Sequence, residues 1–243
     1  MSYVLIIGAK SDIAKAVARE YATHGFDLIL AARHVEELDG FASDIKIRHN
    51  KTVTLKEFDL VDFASHKAFY ERLSEKPMGV VVAAGYMAEQ SIAQDEWNEA
   101  LNTINVNYTG AISILNIIAN DFEILKSGFI IGISSVAGDR GRKANYIYGS
   151  SKAGFSAYLS GLRNRLFSSG IQVLTVKPGF VATKMTEGLD LPAKLTAQPD
   201  AVAKDIFFAQ QQGKDVLYTK GIWRLVMLII KHIPESIFKK MSI

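Results

Sequence analysis

The sequence predicts an α/β fold in which one doubly wound, seven-stranded parallel sheet is covered by helices on both faces. Of the 243 residues, 49% are hydrophobic, which is enough for a large core and argues against disorder. Short apolar runs rich in β-branched residues alternate with longer amphipathic stretches, the βαβα order of a parallel sheet. Most of these runs are apolar throughout, as is typical of strands that are covered on both faces.

The predicted elements follow one another without an internal repeat or a low-complexity linker. The strands are Tyr3–Ile7, Asp27–Ala31, Thr52–Phe58, Gly79–Ala83, Gly128–Ile133, Gln172–Val176 and Val216–Tyr218. The helical stretches are Asp12–Thr23, Val35–His49, Asp62–Ser74, Asp95–Ala119 and Tyr148–Ser168. We therefore expect residues 1–220 to form one domain.

Two later segments depart from this alternation. Residues 183–198 have weak periodicity and contain a glycine, a proline and several charges; we interpret them as a flap over a site, with a plain surface loop as the alternative. Residues 221–243 are predicted to form a hydrophobic and basic helical tail. Its longest apolar run, Leu225–Ile230, is far shorter than the ~20 residues that span a bilayer. Trp223 and flanking basic residues suit an interfacial helix pair, and packing on a neighbouring subunit or on the protein's own core is the alternative.

The composition excludes several classes of function. The sequence contains no cysteine, which rules out disulfides, thiolate catalysis and Cys-based zinc sites. The five His residues show no metal-ligand spacing, so we expect no metal site. A net charge of +3, without a basic run interleaved with aromatics, does not indicate nucleic-acid binding. The segment Met1–Gly8 lacks a basic leader and is predicted to be a strand instead of a signal peptide, which favours a cytoplasmic protein.

The turn after the first strand is a candidate phosphate site. It has the sequence Gly8-Ala9-Lys10-Ser11-Asp12-Ile13-Ala14, and backbone N–H groups at such a strand-to-helix turn bind pyrophosphate in dinucleotide sites. A plain turn is the alternative, since the usual glycine spacing is absent. The second strand ends in Leu30-Ala31-Ala32-Arg33, without the acid that binds a ribose 2′-hydroxyl. Lys10 and Arg33 could instead bind a 2′-phosphate, or be solvated surface cations.

Tyr148 and Lys152 are four residues apart, which places both side chains on one face of a helix. A nearby ammonium favours the phenolate and lowers the pKa of a tyrosine, which then becomes an effective acid–base group. Alone, the pair could be incidental. However, Ser135 follows an apolar strand, the Lys177–Thr183 segment follows the next strand, and Asn107 lies in a long helical stretch. Ligands bind at the carboxyl ends of parallel strands, so we expect these polar residues to converge there.

With Ser135, YxxxK and Pro-Gly-x-x-x-Thr in this order and spacing, the chain resembles the short-chain dehydrogenase/reductase family from Tyr3 to about Thr183. The resemblance implies a Rossmann-type fold and a nicotinamide-dependent oxidoreductase, commonly a homodimer or homotetramer. It makes Tyr148 the acid–base group and assigns Ser135 to hold the carbonyl oxygen of the substrate. It assigns Lys152 to the nicotinamide ribose and to tuning the tyrosine, and Asn107 to a proton-relay water.

The same resemblance implies the cofactor contacts. It assigns Asp59 and Leu60 to the adenine, and Val181 and Thr183 to the carboxamide and the diphosphate. The cations Lys10 and Arg33 occupy the positions at which NADPH-preferring members carry theirs, so NADP(H) is expected over NAD(H). The cofactor-binding set that we predict is Gly8, Lys10, Ser11, Asp12, Ile13, Arg33, Asp59, Leu60, Ala84, Gly85, Tyr148, Lys152, Val181 and Thr183.

Two motifs depart from the family pattern. In the first turn, Asp12 and Ala14 replace glycines, and we expect Asp12 to cap the helix while the N–H groups of Ser11 and Ile13 face phosphate. After the fourth strand, the family's Asn-Asn-Ala-Gly is Val82-Ala83-Ala84-Gly85, which removes two side chains that brace the central strands.

The tail and the first turn also resemble a bacterial branch of the family that includes reductases of decaprenylphosphoryl 2-keto-ribose. This implies a large amphipathic substrate, either a lipid-linked keto sugar or a long-chain ketone, and a protein at the inner face of the membrane. The alternatives are a small soluble carbonyl substrate, a non-catalytic NADPH-binding regulator, and a sugar-nucleotide epimerase or dehydratase. The intact catalytic set argues against the regulator, and the short C-terminal region leaves little room for the substrate domain of an epimerase.

Overall fold

The computed structural model describes residues 2–241 and contains a seven-stranded sheet in which every neighbouring pair is parallel. In chain order, the strands are β1 (Tyr3–Ile7), β2 (Asp27–Ala32), β3 (Val53–Glu57), β4 (Gly79–Val82), β5 (Phe129–Ile133), β6 (Gln172–Pro178), β7 (Phe180–Val181), β8 (Thr196–Ala197) and β9 (Val216–Thr219). The sheet order is β3-β2-β1-β4-β5-β6-β9, and β7 and β8 form a separate parallel pair. The predicted parallel sheet is confirmed. Its strand order reverses between β1 and β4, which is where ligands bind in such sheets.

Helices cover both faces of the sheet. They are α1 (Asp12–Thr23), α2 (Asp39–His49), α3 (His66–Glu71), α4 (Gln90–Ala93), α5 (Trp97–Ile104), α6 (Gly110–Leu125), α7 (Tyr146–Leu166), α8 (Pro199–Gln211), α9 (Ile222–His232) and α10 (Glu235–Phe238). One hydrophobic core lies between the sheet and α1, α2 and α8, and a second lies between the sheet and α3, α6 and α7. Strands that contribute to both cores must be apolar on both faces, which explains their unbroken apolar runs.

The predicted helix Asp95–Ala119 is divided by a π-helical turn at Asn105–Thr109. Within this turn, the Asn107 side chain is fixed by the backbone of Tyr86. Directly after it, a Cβ at Gly110 would lie 2.1 Å from the carbonyl oxygen of Leu60. The helix therefore lies unusually close to two strand-end loops, and the widened turn accommodates both contacts. Periodicity does not show such a turn, because it leaves the apolar face nearly continuous.

The tail packs one of its faces on the protein's own core. Trp223 is 3% exposed, and its indole N–H donates to the carbonyl oxygen of Leu195 over 3.0 Å. Its ring covers Gly179 so closely that a Cβ there would lie 2.0 Å from the indole. The interpretation of Trp223 as an anchor at a membrane interface is therefore wrong, and core packing is confirmed for this face. The two last tail residues, 242–243, lie outside the described residues.

Arg140 fixes the far end of α9. One guanidinium nitrogen donates to the carbonyl oxygens of Ile230 (2.8 Å) and Ile233 (2.5 Å), and the other donates to Glu235. The guanidinium also stacks on Phe238, with its central carbon 3.8 Å from the ring centroid. A cation at a helix C-terminus satisfies carbonyls that have no partner in the helix itself. No helix within residues 2–241 is both long and apolar enough to cross a bilayer.

Candidate active site

The carboxyl ends of the central strands open onto a cleft of about 720 Å³. With one exception, the predicted site residues all line it. They are Gly8, Lys10, Ser11, Asp12, Ile13, Arg33, Asp59, Leu60, Ala84, Gly85, Ser135, Tyr148, Lys152, Val181 and Thr183. We call the part formed by Gly8–Ile13, Arg33 and Asp59–Leu60 the nucleotide end. The part next to Ser135, Tyr148 and the tail is the substrate end.

Tyr148 and Lys152 lie on one face of α7, as their spacing predicts. The ammonium nitrogen of Lys152 lies 5.9 Å from the centroid of the Tyr148 ring and donates to the carbonyl oxygen of Ile133 over 3.1 Å. The Ser134 hydroxyl donates to the carbonyl oxygen of Lys152 over 2.9 Å. Two hydrogen bonds therefore fix the end of β5 to the helix that carries both residues.

Ser135 extends from the end of β5 and caps a short 3-10 turn, Val136–Gly138, because its hydroxyl oxygen accepts from the N–H of Ala137 over 3.1 Å. This turn lies against α7 with no room for a side chain. A Cβ at Gly138 would lie 2.7 Å from the backbone nitrogen of Ala153, and one at Gly149 would lie 2.8 Å from the carbonyl oxygen of Ala137. Glycine at these two positions lets the Ser135 turn pack directly on the helix of Tyr148.

Burial dominates the electrostatics of the pair. Burial raises the pKa of Tyr148, and its contact with the Ser135 hydroxyl offsets part of this rise. Burial also lowers the pKa of Lys152 to about 8. Lys152 directs its ammonium group at the carbonyl oxygen of Ile133, and burial determines the direction of the Tyr148 pKa shift. The structure instead favours the protonated, acid form of Tyr148.

Asn107 is the exception among the predicted catalytic residues, because it does not line the cleft. It is 1% exposed, and its side-chain oxygen accepts from the N–H of Tyr86 over 3.0 Å, while its amide nitrogen donates to the Tyr86 carbonyl over 2.6 Å. Gly85 separates it from the cleft: a Cβ there would lie 3.5 Å from the Asn107 oxygen and 3.8 Å from the Lys152 ammonium. Asn107 therefore braces the segment after β4, where the family's two asparagines are missing.

The turn after β1 is shaped by close packing. Gly8 has a φ of +80°, and a Cβ there would lie 2.5 Å from the backbone nitrogen of Ala84. Ser11 caps α1, since its hydroxyl oxygen accepts from the N–H of Ala14 over 3.1 Å and the hydroxyl donates to the carbonyl of Ala83 over 3.3 Å. The Ser11 N–H donates to the Gly8 carbonyl, also over 3.1 Å. Of the two N–H groups expected to face phosphate, that of Ser11 is therefore occupied within the turn. Ile13 lies in the first helical turn, where N–H groups have no partner inside the helix.

The prediction that Asp12 caps α1 is wrong. Because Ser11 already occupies the cap, Asp12 is the first residue of the helix. Its carboxylate instead accepts a hydrogen bond from the backbone N–H of Lys184 over 2.8 Å. The Asp12 carboxylate thus joins the flap, residues 183–198, to the nucleotide end.

Two cations and two carboxylates that already have partners lie near the end of β2. Arg33 is exposed at the rim of the cleft, and the ammonium nitrogen of Lys10 lies 2.7 Å from a carboxylate oxygen of Glu37. Glu57 is occupied by the backbone, since it accepts from the N–H groups of His34 and Val35, each over 3.0 Å. These bonds lower the pKa of Glu57. The donors available at this corner therefore suit an anion.

The flap contributes residues that sequence reasoning did not single out. Met185, Thr186 and Leu189 line the cleft beside Thr183, and the Thr186 hydroxyl donates to the carbonyl of Val181 over 2.6 Å. Arg142 and Asn145, from the turn before Tyr148, also line it. The sequence signal was weak, because a polar turn with no fixed spacing resembles any solvated loop. Within residues 2–241, no three His, Asp or Glu side chains are grouped to hold a metal ion.

Comparison with known proteins identifies the family. The model of the family described as short chain dehydrogenase matches residues 2–193. An uncharacterized oxidoreductase of Mycobacterium tuberculosis (strain ATCC 25618 / H37Rv) is 33% identical over 241 residues, which cover 98% of this chain and 96% of the relative. An uncharacterized oxidoreductase of Streptomyces coelicolor is 32% identical over 251 residues, with 99% and 96% covered.

A solved structure has the same fold. The short-chain dehydrogenase from Sphingobium yanoikuyae in complex with NADPH superimposes with a TM-score of 0.83 at 23% identity, covering 97% of this chain and 98% of that one. A Rossmann-type fold, a cleft at the strand ends and a family match over most of the sequence agree with one another. The chain therefore belongs to the short-chain dehydrogenase family and is a nicotinamide-dependent oxidoreductase.

Proposed function

We propose that the protein is an NADPH-dependent reductase of ketones, or in reverse a dehydrogenase of the corresponding alcohols. The observation that supports this most strongly is the position of Tyr148, Ser135 and Lys152 on one wall of the cleft, next to the nucleotide end. When bound, the nicotinamide would supply the hydride that reduces the carbonyl carbon. The residues described above fit such a cofactor, because Gly8 allows close approach and the donors at the nucleotide end suit phosphates.

The protein's own residues would donate the proton and stabilise the oxygen that receives it. The Tyr148 hydroxyl donates its proton to the oxygen of the forming alkoxide, and the Ser135 hydroxyl donates a hydrogen bond to the same oxygen. The raised pKa of Tyr148 keeps the phenol protonated at neutral pH, ready to act as the acid in the reductive direction. Lys152 holds the ribose of the nicotinamide, and Asn107 acts as a positioning residue through Tyr86.

The preference for NADPH rests on Arg33 and Lys10. Ala31 and Ala32 provide no acid for a ribose 2′-hydroxyl, while the planar guanidinium of Arg33 matches a phosphate. Lys10 is held near the same corner by Glu37. In this proposal, the Lys10 ammonium would donate to a 2′-phosphate of the bound cofactor as well as to Glu37.

We further propose that the substrate is large and amphipathic, such as a lipid-linked keto sugar or a long-chain ketone, and that the protein acts at the inner face of the membrane. The inner face of the tail contacts a residue that lines the cleft, since the sulfur of Met227 accepts from Arg142. The tail exposes six large apolar residues: Ile222, Leu225, Leu228, Ile229, Ile237 and Met241. Arg224, Lys231, Lys239 and Lys240 flank these residues, which suits an anionic lipid surface.

The flap and the subunit arrangement complete the proposal. Residues 1–220 act as one cofactor-binding domain, with residues 183–198 as the substrate flap and residues 221–243 as the lipid-facing tail. The assembly is a homodimer or homotetramer, which multi-angle light scattering of the purified protein would decide.

Turnover tests the catalytic proposal. The purified protein is assayed for oxidation of NADPH and of NADH against a ketone panel, with Tyr148→Phe as the control. We expect NADPH-dependent turnover that falls by about 10²- to 10⁴-fold in the variant, the usual contribution of an acid–base group. Tight NADPH binding without turnover on any ketone would indicate a non-catalytic regulator, and equal use of NADH would remove the role of Arg33 and Lys10.

Vesicle co-sedimentation tests the lipid proposal. Truncating the tail would remove Trp223 and expose the core residues that it covers. We therefore prefer Leu225→Ser, Leu228→Ser and Ile229→Ser together, which keep the buried face of the tail. The matched control is Ile47→Ser with Ile124→Ser, at exposed positions elsewhere. We expect the wild type and the control to bind phosphatidylglycerol vesicles and the tail variant to lose binding. Absence of wild-type binding, or equal binding by all three proteins, would contradict the proposal.

A further inference from the structure

Arg142 is a charged residue in the cleft that the cofactor and the acid–base chemistry do not use. It lies in the turn between Ser135 and Tyr148, and this turn leads directly into α7. The Asn145 N–H donates to the Arg142 carbonyl over 3.2 Å, and the Gly149 N–H donates to the Asn145 carbonyl over 2.7 Å. Arg142 therefore belongs to the substrate end, on the helix entry that carries the catalytic tyrosine.

The guanidinium of Arg142 is half-buried, and its donors are largely unused. One terminal nitrogen contacts the sulfur of Met227 over 3.2 Å, and a thioether is a weak acceptor. Its Nε is buried without a hydrogen-bond partner among residues 2–241, and so is the side-chain oxygen of Asn145. Burial lowers the pKa of Arg142, as expected when a cation loses water without gaining full compensation. The Arg142 guanidinium carries five N–H donors in a fixed planar arrangement. The acceptor that it contacts is the weak thioether of Met227.

The nearby carboxylate is committed to other groups. Asp139 accepts from the ammonium of Lys177 over 2.5 Å and from the hydroxyl of Tyr218 over 2.6 Å. The charge of Asp139 is therefore neutralised by Lys177. Asp139 only partly offsets the lowering of the Arg142 pKa by burial. The carboxylates that line the cleft, Asp12 and Asp59, lie at the nucleotide end, where they bind backbone N–H groups of Lys184 and Val61. The substrate end consequently carries uncompensated positive charge.

We propose that Arg142 binds an anionic group, a carboxylate or a phosphate, that the carbonyl substrate carries at a distance from its reacting carbon. A planar fork of N–H donors matches either anion in bidentate fashion, and a partly desolvated pair is worth more than one in water. The free oxygen of Asn145 accepts from a hydroxyl of the same substrate. This inference rests on the proposed ketone reduction and adds that the ketone substrate carries an acidic group.

Matched ketone pairs test the inference by turnover. Keto acids of increasing chain length are compared with their methyl esters, and dihydroxyacetone phosphate is compared with dihydroxyacetone. The variants are Arg142→Gln and Arg142→Lys, and the control is Lys143→Gln, an exposed cation one residue away. We expect the wild type and the control to favour at least one acidic ketone over its neutral partner by about 10- to 100-fold in kcat/KM, as charge-assisted hydrogen bonds provide. The pair with the larger preference identifies carboxylate or phosphate.

Arg142→Gln should abolish this preference through KM, while Arg142→Lys restores part of it. Turnover of ketones with no preference for the acidic member, or a preference that survives in Arg142→Gln, would overturn the inference and leave the proposed function intact. If no ketone is turned over, calorimetric titration of NADPH-loaded Tyr148→Phe protein with the same pairs replaces the assay. Failure of any acidic ketone to bind more tightly than its neutral partner overturns the inference there as well. Circular dichroism and thermal unfolding confirm that each variant folds.

Discussion

The nucleotide end and the substrate end of the cleft are built in different ways. The nucleotide end is built on the tight turn after β1, in which Ser11 bonds both Gly8 and Ala14, and this turn packs on the segment after β4. The substrate end depends on distant contacts, since Arg140 binds the carbonyl of Ile233, 93 residues later in the sequence. A tight turn constrains the backbone conformation of its own residues. The contact between Arg140 and Ile233 instead constrains how the tail packs on the rest of the protein. We therefore expect damage at the first to affect cofactor binding, and damage at the second to affect the tail and the substrate.

Two glycine substitutions give the largest expected effects and separate the two ends. Gly8→Ala introduces a Cβ 2.5 Å from the Ala84 nitrogen at a φ of +80°. Neither strain can be relieved by rotating a side chain, so we expect a loss of about 3 kcal/mol in the free energy of unfolding, together with weakened NADPH binding. Urea denaturation and calorimetric titration with NADPH measure the two effects.

Gly179→Ala is the counterpart at the substrate end. Its Cβ would lie 2.0 Å from the indole of Trp223, so the ring, and α9 with it, must move. In a Trp97→Phe background, Trp223 is the one remaining tryptophan. We expect its fluorescence emission to shift to the red, while NADPH binding is kept. If NADPH binding falls as far in Gly179→Ala as in Gly8→Ala, the two ends are not separable.

Arg33→Ala sharpens the comparison inside the nucleotide end. Removing one charged contact to an exposed 2′-phosphate should raise the KM for NADPH by about 10-fold, and combining it with Lys10→Ala should raise it further. The KM for NADH should stay within about twofold, because NADH carries no phosphate at that position. Steady-state kinetics with both cofactors test this, and a parallel rise for NADH would point to a general effect on the adenosine site.

Arg140→Met tests the clamp on the tail. It removes hydrogen bonds to the carbonyls of Ile230 and Ile233, so we expect the tail to fray and the free energy of unfolding to fall by about 2 kcal/mol. Arg224→Met, at an exposed position of α9, is the matched control and should change stability by less than about 0.5 kcal/mol. Limited proteolysis near residue 230 reports fraying, and equal cleavage in both variants would contradict the role of Arg140.

The smallest expected effect is a pH dependence from Lys152. Burial lowers its pKa to about 8 from the ordinary 10.5. Below about pH 8 the lysine is protonated in both folded and unfolded chains. Between about pH 8 and 10.5 only the unfolded chain retains the proton, so stability rises with pH across this window, by about 1 kcal/mol per pH unit. Urea denaturation of wild type and Lys152→Met over this range measures the difference, and an identical slope in both would refute it.

Much of the fold could be predicted because strand and helix signals are local. Short runs rich in apolar and β-branched residues identified every strand of the large sheet, and α1 begins and ends where its periodicity predicted. The Tyr148–Lys152 pair and the serine upstream could be placed in one cleft because parallel strands bring their carboxyl ends together. The cap of α1 was assigned one residue too late, since Ser11 and Asp12 are both good caps and only the backbone distinguishes them.

What the sequence did not show depends on burial and long-range geometry. The pKa directions of Tyr148 and Lys152 follow from how deeply each is buried, which spacing cannot reveal. Trp223 has the neighbours of a membrane anchor, and only its contact with Gly179 shows that it is a core residue. Arg142 was overlooked for the same reason, because its significance lies in the partners that it lacks within the described chain.

The hydrogen bond from the Lys184 N–H to Asp12 has a consequence for binding equilibria. Asp12 is the first residue of α1, at the nucleotide end, and Lys184 belongs to the flap. A group shared by two sites gives them a coupling free energy, so that ordering the turn with cofactor also orders the flap. Because such coupling is reciprocal, whatever factor the cofactor adds to substrate affinity, the substrate adds to cofactor affinity.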